Sequence, residues 1–195
     1  MVKIARDPGT TPVSEKIRNI LKDKNFSIDN KTEALLFSAA RAQLVEDFIR
    51  PNLQAGHIVL CDRFVHSTLV YQGVAGGVCL KSLENLNNFS TGGLAPNLTF
   101  FLLLHPEEGL ARKHGQDGHT LDRMETKNFE YHRLVAGGFK KMAENLAEDA
   151  VVINAALPID EIHDIIKTNI NKLFLKEDEN AVRHRNSCHS KNKFV

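Results

Sequence analysis

The sequence has no tryptophan, only two tyrosines and only three cysteines among its 195 residues. Cys61, Cys79 and Cys188 are widely spaced and odd in number. That excludes a disulfide framework and matches no zinc-ligand spacing, so the thiols read as reduced. Long apolar runs are also missing. The longest, LTFFLLL from Leu98 to Leu104, is far too short to cross a bilayer. The opening residues MVKIAR contain no signal-peptide apolar region. Excess charge of one sign is absent too: 25 Lys and Arg stand against 24 Asp and Glu. No basic or acidic surface calls for a nucleic acid or a membrane. These absences lead to the expectation of a cytoplasmic protein with neither kind of partner. No stretch reads G-x-x-x-x-G-K-[ST], the loop that cradles nucleoside triphosphate phosphates.

What is present alternates. Val2–Ala5, Ile58–Cys61, Leu98–Leu104 and Val151–Ile153 are short apolar runs followed by polar or turn residues, the pattern of buried parallel strands. Helical patterns lie between them, over Val13–Leu21, Glu33–Ile49, Leu80–Phe89, Pro106–Lys113, Met124–Ala147 and Ile159–Phe174. Within the second, Leu36, Ala40, Leu44 and Phe48 recur every four residues. Asn30 with Glu33 has the spacing of a capping box and Pro51 that of a stop. Alternating strands and helices predict a three-layer α/β fold with a mostly parallel sheet, here over residues 1–175. Residues 176–195 lose apolar periodicity and read as a polar, disordered tail. His184, Cys188 and His189 in that tail match no zinc spacing. In parallel sheets, ligands bind beyond the carboxyl ends of the strands. Arg6-Asp7 and Asp62-Arg63 fall at such ends.

Several residues there suit chemistry. Phe37 and Arg41 are four apart on a helix, stacked about 6 Å along its axis. They suit a flat base and its carbonyl, or a core ring beside a surface arginine. Arg63 suits a phosphate or carboxylate. Asp62 suits Mg²⁺ through water, or a plain ion pair with an arginine. Ser67, Thr68, Tyr71 and Gln72 offer polar tips for a sugar and a base edge. Arg112 to Glu125, rich in glycine and cations, suits a lid over phosphates or a solvated loop.

Taken together, these blocks resemble thymidylate kinase. RDPGTTPVSEKIR is similar to the family's REPGGTPxxExIR. EALLFSAARAQLVEDFIRPNLQAGHIVLCDRF is similar to EALLFxAxRAQxxxxxIxPxLxxGxxVxxDRY. HSTLVYQG, PNLTFFLLLHPEEGLARK and LDRMETKNFEYH follow in the family's order. The resemblance spans residues 2 to 173. It implies a P-loop kinase-like fold, transfer of the γ-phosphoryl of Mg²⁺-bound ATP to dTMP, and a homodimer packed through helices that include Glu33–Ile49. By resemblance, Arg6, Asp7 and Pro8 line the acceptor pocket. Phe37 stacks on thymine and Arg41 contacts its edge. Thr68 and Gln72 lie near the base, and Tyr71 packs on the deoxyribose. Arg63 holds the dTMP phosphate beside Asp62 and its magnesium. Arg112, Lys113 and Arg123 serve the lid, with Arg123 at the transferring phosphoryl group.

The sequence also departs from the family pattern. It starts at what resembles the second strand. The expected fold therefore lacks the first strand, phosphate loop and first helix, on the order of 30 to 40 residues. Asp7 and Thr10 stand for the usual Glu and Gly, and Phe64 for Tyr. Gly77, Leu134 and Ala136 stand near positions where arginines are common. Two readings follow. One is a dTMP kinase whose phosphate loop lies outside this sequence. The other is an inactive remnant that binds dTMP or a partner. A kinase for another deoxynucleoside monophosphate is a weaker third, disfavoured by Phe37, Arg41 and Tyr71.

Overall fold

A computed structural model describes the backbone of residues 1–114, 122–124, 126–146 and 149–189. In chain order the elements are β1 (Val2–Arg6), α1 (Pro12–Lys22), α2 (Asn30–Leu44), a π-helical segment (Val45–Ile49) and α3 (Arg50–Gln54). Then come β2 (Ile58–Asp62), α4 (Val65–Thr68) with a second π segment (Leu69–Val74), α5 (Leu80–Thr91) and β3 (Thr99–Leu103). The chain ends with α6 (Pro106–His114), α7 (Phe129–Leu146), β4 (Ala150–Asn154) and α8 (Ile159–His189). All four expected strands form, and every pairing is parallel. β1 pairs with β2 and β3 with β4, as two two-stranded sheets.

Strand alternation decides what each face meets. On one side of β1–β2, Ala5, Val59 and Cys61 pack against Leu44, Val45, Phe48 and Ile49 of the long helical run. Leu44 and Phe48 belong to the stripe seen in the sequence, and Val45 and Ile49 widen it. The opposite face carries Val2, Ile4, Ile58 and Leu60, all exposed. In the second sheet, buried Phe101 meets Phe139 of α7, ring centroids 6.1 Å apart.

Three local expectations need correcting. Asn30 is not the N-cap of α2. Asp29 is, and its carboxylate accepts from Lys31 N at 2.8 Å, while Asn30 Nδ2 donates to Gly76 O at 2.7 Å. Glu33 therefore makes no capping box. Pro51 does not stop the helix either. The preceding turns widen to a π register, so Arg50 N bonds Val45 O. The Phe48 carbonyl is taken by Asn52 Nδ2 at 2.7 Å. A proline lacking its N–H is accommodated where the ladder has already shifted. Finally, α8 continues to His189, through most of the segment expected to be a disordered tail. Glu, Lys, Arg and Ala favour helix by propensity even without an apolar stripe.

Candidate functional site

The parallel register sets Arg6 beside Asp62, so both strands deliver their carboxyl ends to one place. Asp7 N donates to Asp62 O at 2.9 Å, and the Asp7–Pro8 peptide is cis. Gly9 has φ +142, and a Cβ there would lie 2.6 Å from Glu15 Oε1. Glycine is needed because Glu15 folds under the loop. Its Oε1 accepts from Thr10 N and from Arg6 Nη2, both at 2.8 Å. Arg18, one turn along α1 from Glu15, donates to Pro8 O at 3.0 Å.

Arg63 is the strained member. Its φ of +67 lies in the left-handed region, which costs a non-glycine residue roughly 1–2 kcal/mol. The resulting turn lays its guanidinium over the Tyr71 ring, 5.1 Å from the centroid. Burial opposes its charge, but Tyr71, Asp62 and Asp122 outweigh burial and raise its pKa. Arg18 shows the reverse: burial, then the charge of Arg6, lowers its pKa, with Arg63 adding to the effect. Arg6, Arg18 and Arg63 thus share one positive field at the strand ends. Arg6 and Arg63 are exposed and Arg6 is paired with Glu15, yet three guanidiniums around one point suit an anion.

Deeper in, Arg41 is 1% exposed. Its Nε donates to Asp7 Oδ2 at 2.6 Å, Nη1 to Asn87 Oδ1 at 2.6 Å, and Nη2 to Thr68 Oγ1 at 2.8 Å and Phe64 O at 3.4 Å. Of five N–H groups, one on Nη1 remains. Asp7 Oδ1 is buried without a hydrogen-bond partner. Burial raises the Asp7 pKa against the pull of Arg41 and Arg63. Phe37, one turn back on α2, is half-buried.

Next to this lies a second network. Gln72 Nε2 donates to Glu33 Oε1 at 2.7 Å. Arg123 Nη2 donates to Glu33 Oε2, and Arg123 Nε donates to Leu21 O at 2.9 Å. Tyr131 Oη donates to Tyr71 O at 3.1 Å. Burial, then the Glu33 charge, pushes the Tyr131 pKa up. Gly138 lets α7 approach closely, since a Cβ there would meet Val70 Cγ1 at 3.0 Å.

Most of the residues singled out from the sequence thus gather on one side of the molecule. Arg6, Asp7, Pro8, Asp62 and Arg63 meet at the strand ends. Arg41 and Thr68 touch, Tyr71 lies under Arg63, and Gln72 is linked through Glu33 to Arg123. Arg112 stands apart, bonded to Ala155 O and Glu108. The Lys113 side chain and residues 115–121 of the expected lid lie outside the described residues.

Glu33, Asn87, Arg18 and Tyr131 were missed. Glu33 carried a usable signal: with Phe37 and Arg41 it repeats every four residues along one helix face. Arg18 stood in the quoted first block. For Asn87, in a polar helix, no sequence signal existed.

Asp62 is exposed, and its side chain makes no hydrogen bond among the described residues. Among those residues no group of three or more acidic, His or Cys side chains forms a metal cage. A single carboxylate of this kind fits Mg²⁺ only where an incoming ligand supplies further oxygens, since the ion keeps several waters.

Comparison with known proteins agrees with this geometry. The family model described as "Thymidylate kinase" matches residues 1–166. The thymidylate kinase of Symbiobacterium thermophilum is 43% identical over 169 residues, 86% of this chain and 78% of that protein. That of Lactobacillus helveticus is 41% identical over 174 residues, covering 87% and 80%. That of Chlorobium luteolum is 41% identical over 179 residues, covering 88% and 84%. A match across the arginine-lined strand ends, the Arg41 network and the Tyr71 segment alike places the chain in the thymidylate kinase family.

Proposed function

We propose that the protein binds dTMP at the joined ends of β1 and β2 and transfers to it the γ-phosphoryl group of ATP, giving dTDP and ADP. A dTMP phosphate oxygen forms the new bond to the γ-phosphorus, and the bond from that phosphorus to the β–γ bridging oxygen breaks. The nucleophile is already ionised at neutral pH, so no strong base is required. Catalysis of this kind is positioning and charge neutralisation. Arg63 supplies both, held in a strained turn over Tyr71 with Arg6 and Arg18 behind it. That strained arginine is the observation that carries the reading. Mg²⁺, held by Asp62, would shield charge on the phosphates. Tyr71 packs on the sugar, Phe37 on the base, and the remaining Arg41 N–H meets a base carbonyl. Arg112 and Lys113 at one end and Arg123 at the other bracket the lid segment, whose closure would bring Arg123 to the transferring group.

We further assign residues 1–175 as the catalytic domain and a homodimer formed through α2, whose Leu35 and Ala39 are exposed one turn apart. The expected location is the cytoplasm. No described helix is long and apolar enough to cross a membrane.

The test is ADP release that depends on dTMP, with dUMP, dCMP and the ribonucleotide as comparators. Binding of dTMP alone is followed by calorimetry. Arg63→Ala should weaken dTMP binding by about 10- to 100-fold, the range for losing a charged hydrogen-bond partner. Absence of any dTMP-dependent turnover together with absence of dTMP binding would overturn the assignment.

A further inference from the structure

Glu33 is 1% exposed yet bears a carboxylate, at a position that needs no helix cap. A buried carboxylate is costly unless it is paired and hydrogen-bonded, and at Glu33 both oxygens are served, unlike those of Asp7. Arg123 takes Oε2, and Gln72 Nε2 donates to Oε1 at 2.7 Å. We propose that Glu33 is a positioning residue for base selection: its carboxylate fixes the Gln72 amide with the carbonyl oxygen, not the NH₂, open to the bound pyrimidine.

The orientation follows from chemistry. An ionised carboxylate is acceptor-only, so the group Gln72 turns toward it must be the NH₂. No donor among the described residues bonds Gln72 Oε1. Thr68, one turn back, carries the hydroxyl that accepts from Arg41. Gln72 Oε1 is thus an acceptor held in one orientation and the last N–H of Arg41 Nη1 a spare donor, beside the unpartnered Asp7 Oδ1 and Ser38 Oγ. Thymine and uracil present a donor at N3 and an acceptor at O4. Cytosine presents an acceptor at N3 and a donor at its amino group. An acceptor held rigidly by Glu33 pairs with the first and meets a lone pair on the second. Rigidity matters because an unrestrained amide would rotate and serve either base. Arg123 balances the buried charge of Glu33.

The inference rests on the dTMP reading, and the experiment separates the two. Binding of dTMP and of 5-methyl-dCMP, which share the methyl group and differ at N3 and position 4, is measured by calorimetry on the full chain and on Glu33→Gln. A glutamine at 33 offers both a donor and an acceptor and releases the Gln72 amide. The parent should prefer dTMP on the order of 100-fold, and the variant's preference should shrink to about tenfold or less. A role in stability alone would weaken both ligands equally. A parent that binds dTMP with a preference unmoved by Glu33→Gln overturns the orienting role. A parent that binds neither nucleotide overturns the dTMP reading itself. Side-chain ¹⁵N NMR of the ligand-free parent decides the orientation without nucleotide or variant. One Gln72 amide proton should exchange slowly with solvent, and exchange as fast as at surface glutamines overturns the proposal.

Discussion

At the scale of single residues, the site depends on Arg41 more than on any exposed group. Its guanidinium joins β1, α4 and α5 through Asp7, Thr68 and Asn87. Removing one partner of a buried ion pair leaves the other charge uncompensated. Arg41→Ala should therefore destabilise the fold by ~3–5 kcal/mol, read as a lowered urea midpoint. Arg41→Lys keeps a charge for Asp7 but cannot reach three acceptors in one plane. Its loss should be smaller, ~1–3 kcal/mol, and a loss as large as that of alanine would contradict this. His66 shows a different residue-level effect. Burial, then the charge of Arg41, lowers its pKa below the ordinary 6.5. Its ring stands edge-on to Phe101, centroids 5.7 Å apart. The folded protein keeps this imidazole neutral, while the unfolded chain takes up a proton near 6.5. The stability it confers is complete above that pH and falls as pH drops through and below it. His66→Phe keeps an aromatic ring against Phe101 and should flatten this part of the profile. Urea midpoints at pH 7.5 and 5.5 should therefore differ more in the parent than in the variant.

At the scale of elements, the two π segments explain both what the sequence reveals and what it hides. Apolar periodicity locates all four strands, because a buried parallel strand is a short uniform apolar run. It also locates the long helical run, because Leu44 and Phe48 of its stripe reach the core. It cannot reveal a shift of register inside that run. The π register goes with Pro51, which lacks an N–H, and with an Asn52 amide that takes the Phe48 carbonyl, and neither leaves a trace in apolar periodicity. The second π segment, Leu69–Val74, carries Tyr71 and Gln72, and π turns recur at functional sites. The site was legible to the same extent. Charged residues at strand ends stood out, while Asn87 and the true partners of Glu33 depend on packing between distant elements. Asn52→Ala tests the accommodation of Pro51. It removes the bond to Phe48 O and should cost ~1 kcal/mol, seen as a modest fall in the urea midpoint. Pro51→Ala on its own should leave the midpoint unchanged or raise it, because an alanine N–H can rejoin the ladder at Asp47 O or Glu46 O, carbonyls other than the one that Asn52 serves.

At the scale of the whole molecule, the distribution of apolar side chains is asymmetric. One face of β1–β2 is sealed by the long helical run. On the other, Ile4 is 75% exposed, Val2 52%, Leu60 46% and Ile58 40%. Register aligns these four as two adjacent pairs, Val2 with Ile58 and Ile4 with Leu60, so they form one patch instead of scattered points. Isolated exposed apolar residues are ordinary, but a contiguous patch on a sheet with open edges promotes association. The chain as it stands should therefore bind hydrophobic dyes and self-associate at high protein concentration. The double substitution Ile4→Thr and Leu60→Thr keeps β-branched or strand-compatible residues and removes half of the patch. Dye fluorescence and light scattering should both fall clearly. The urea midpoint should move little, within the roughly 0.5 kcal/mol usual for surface positions, since these side chains bury little area. A large loss of stability with unchanged scattering would mean that Ile4 and Leu60 are covered in solution, with the patch serving as an interior face.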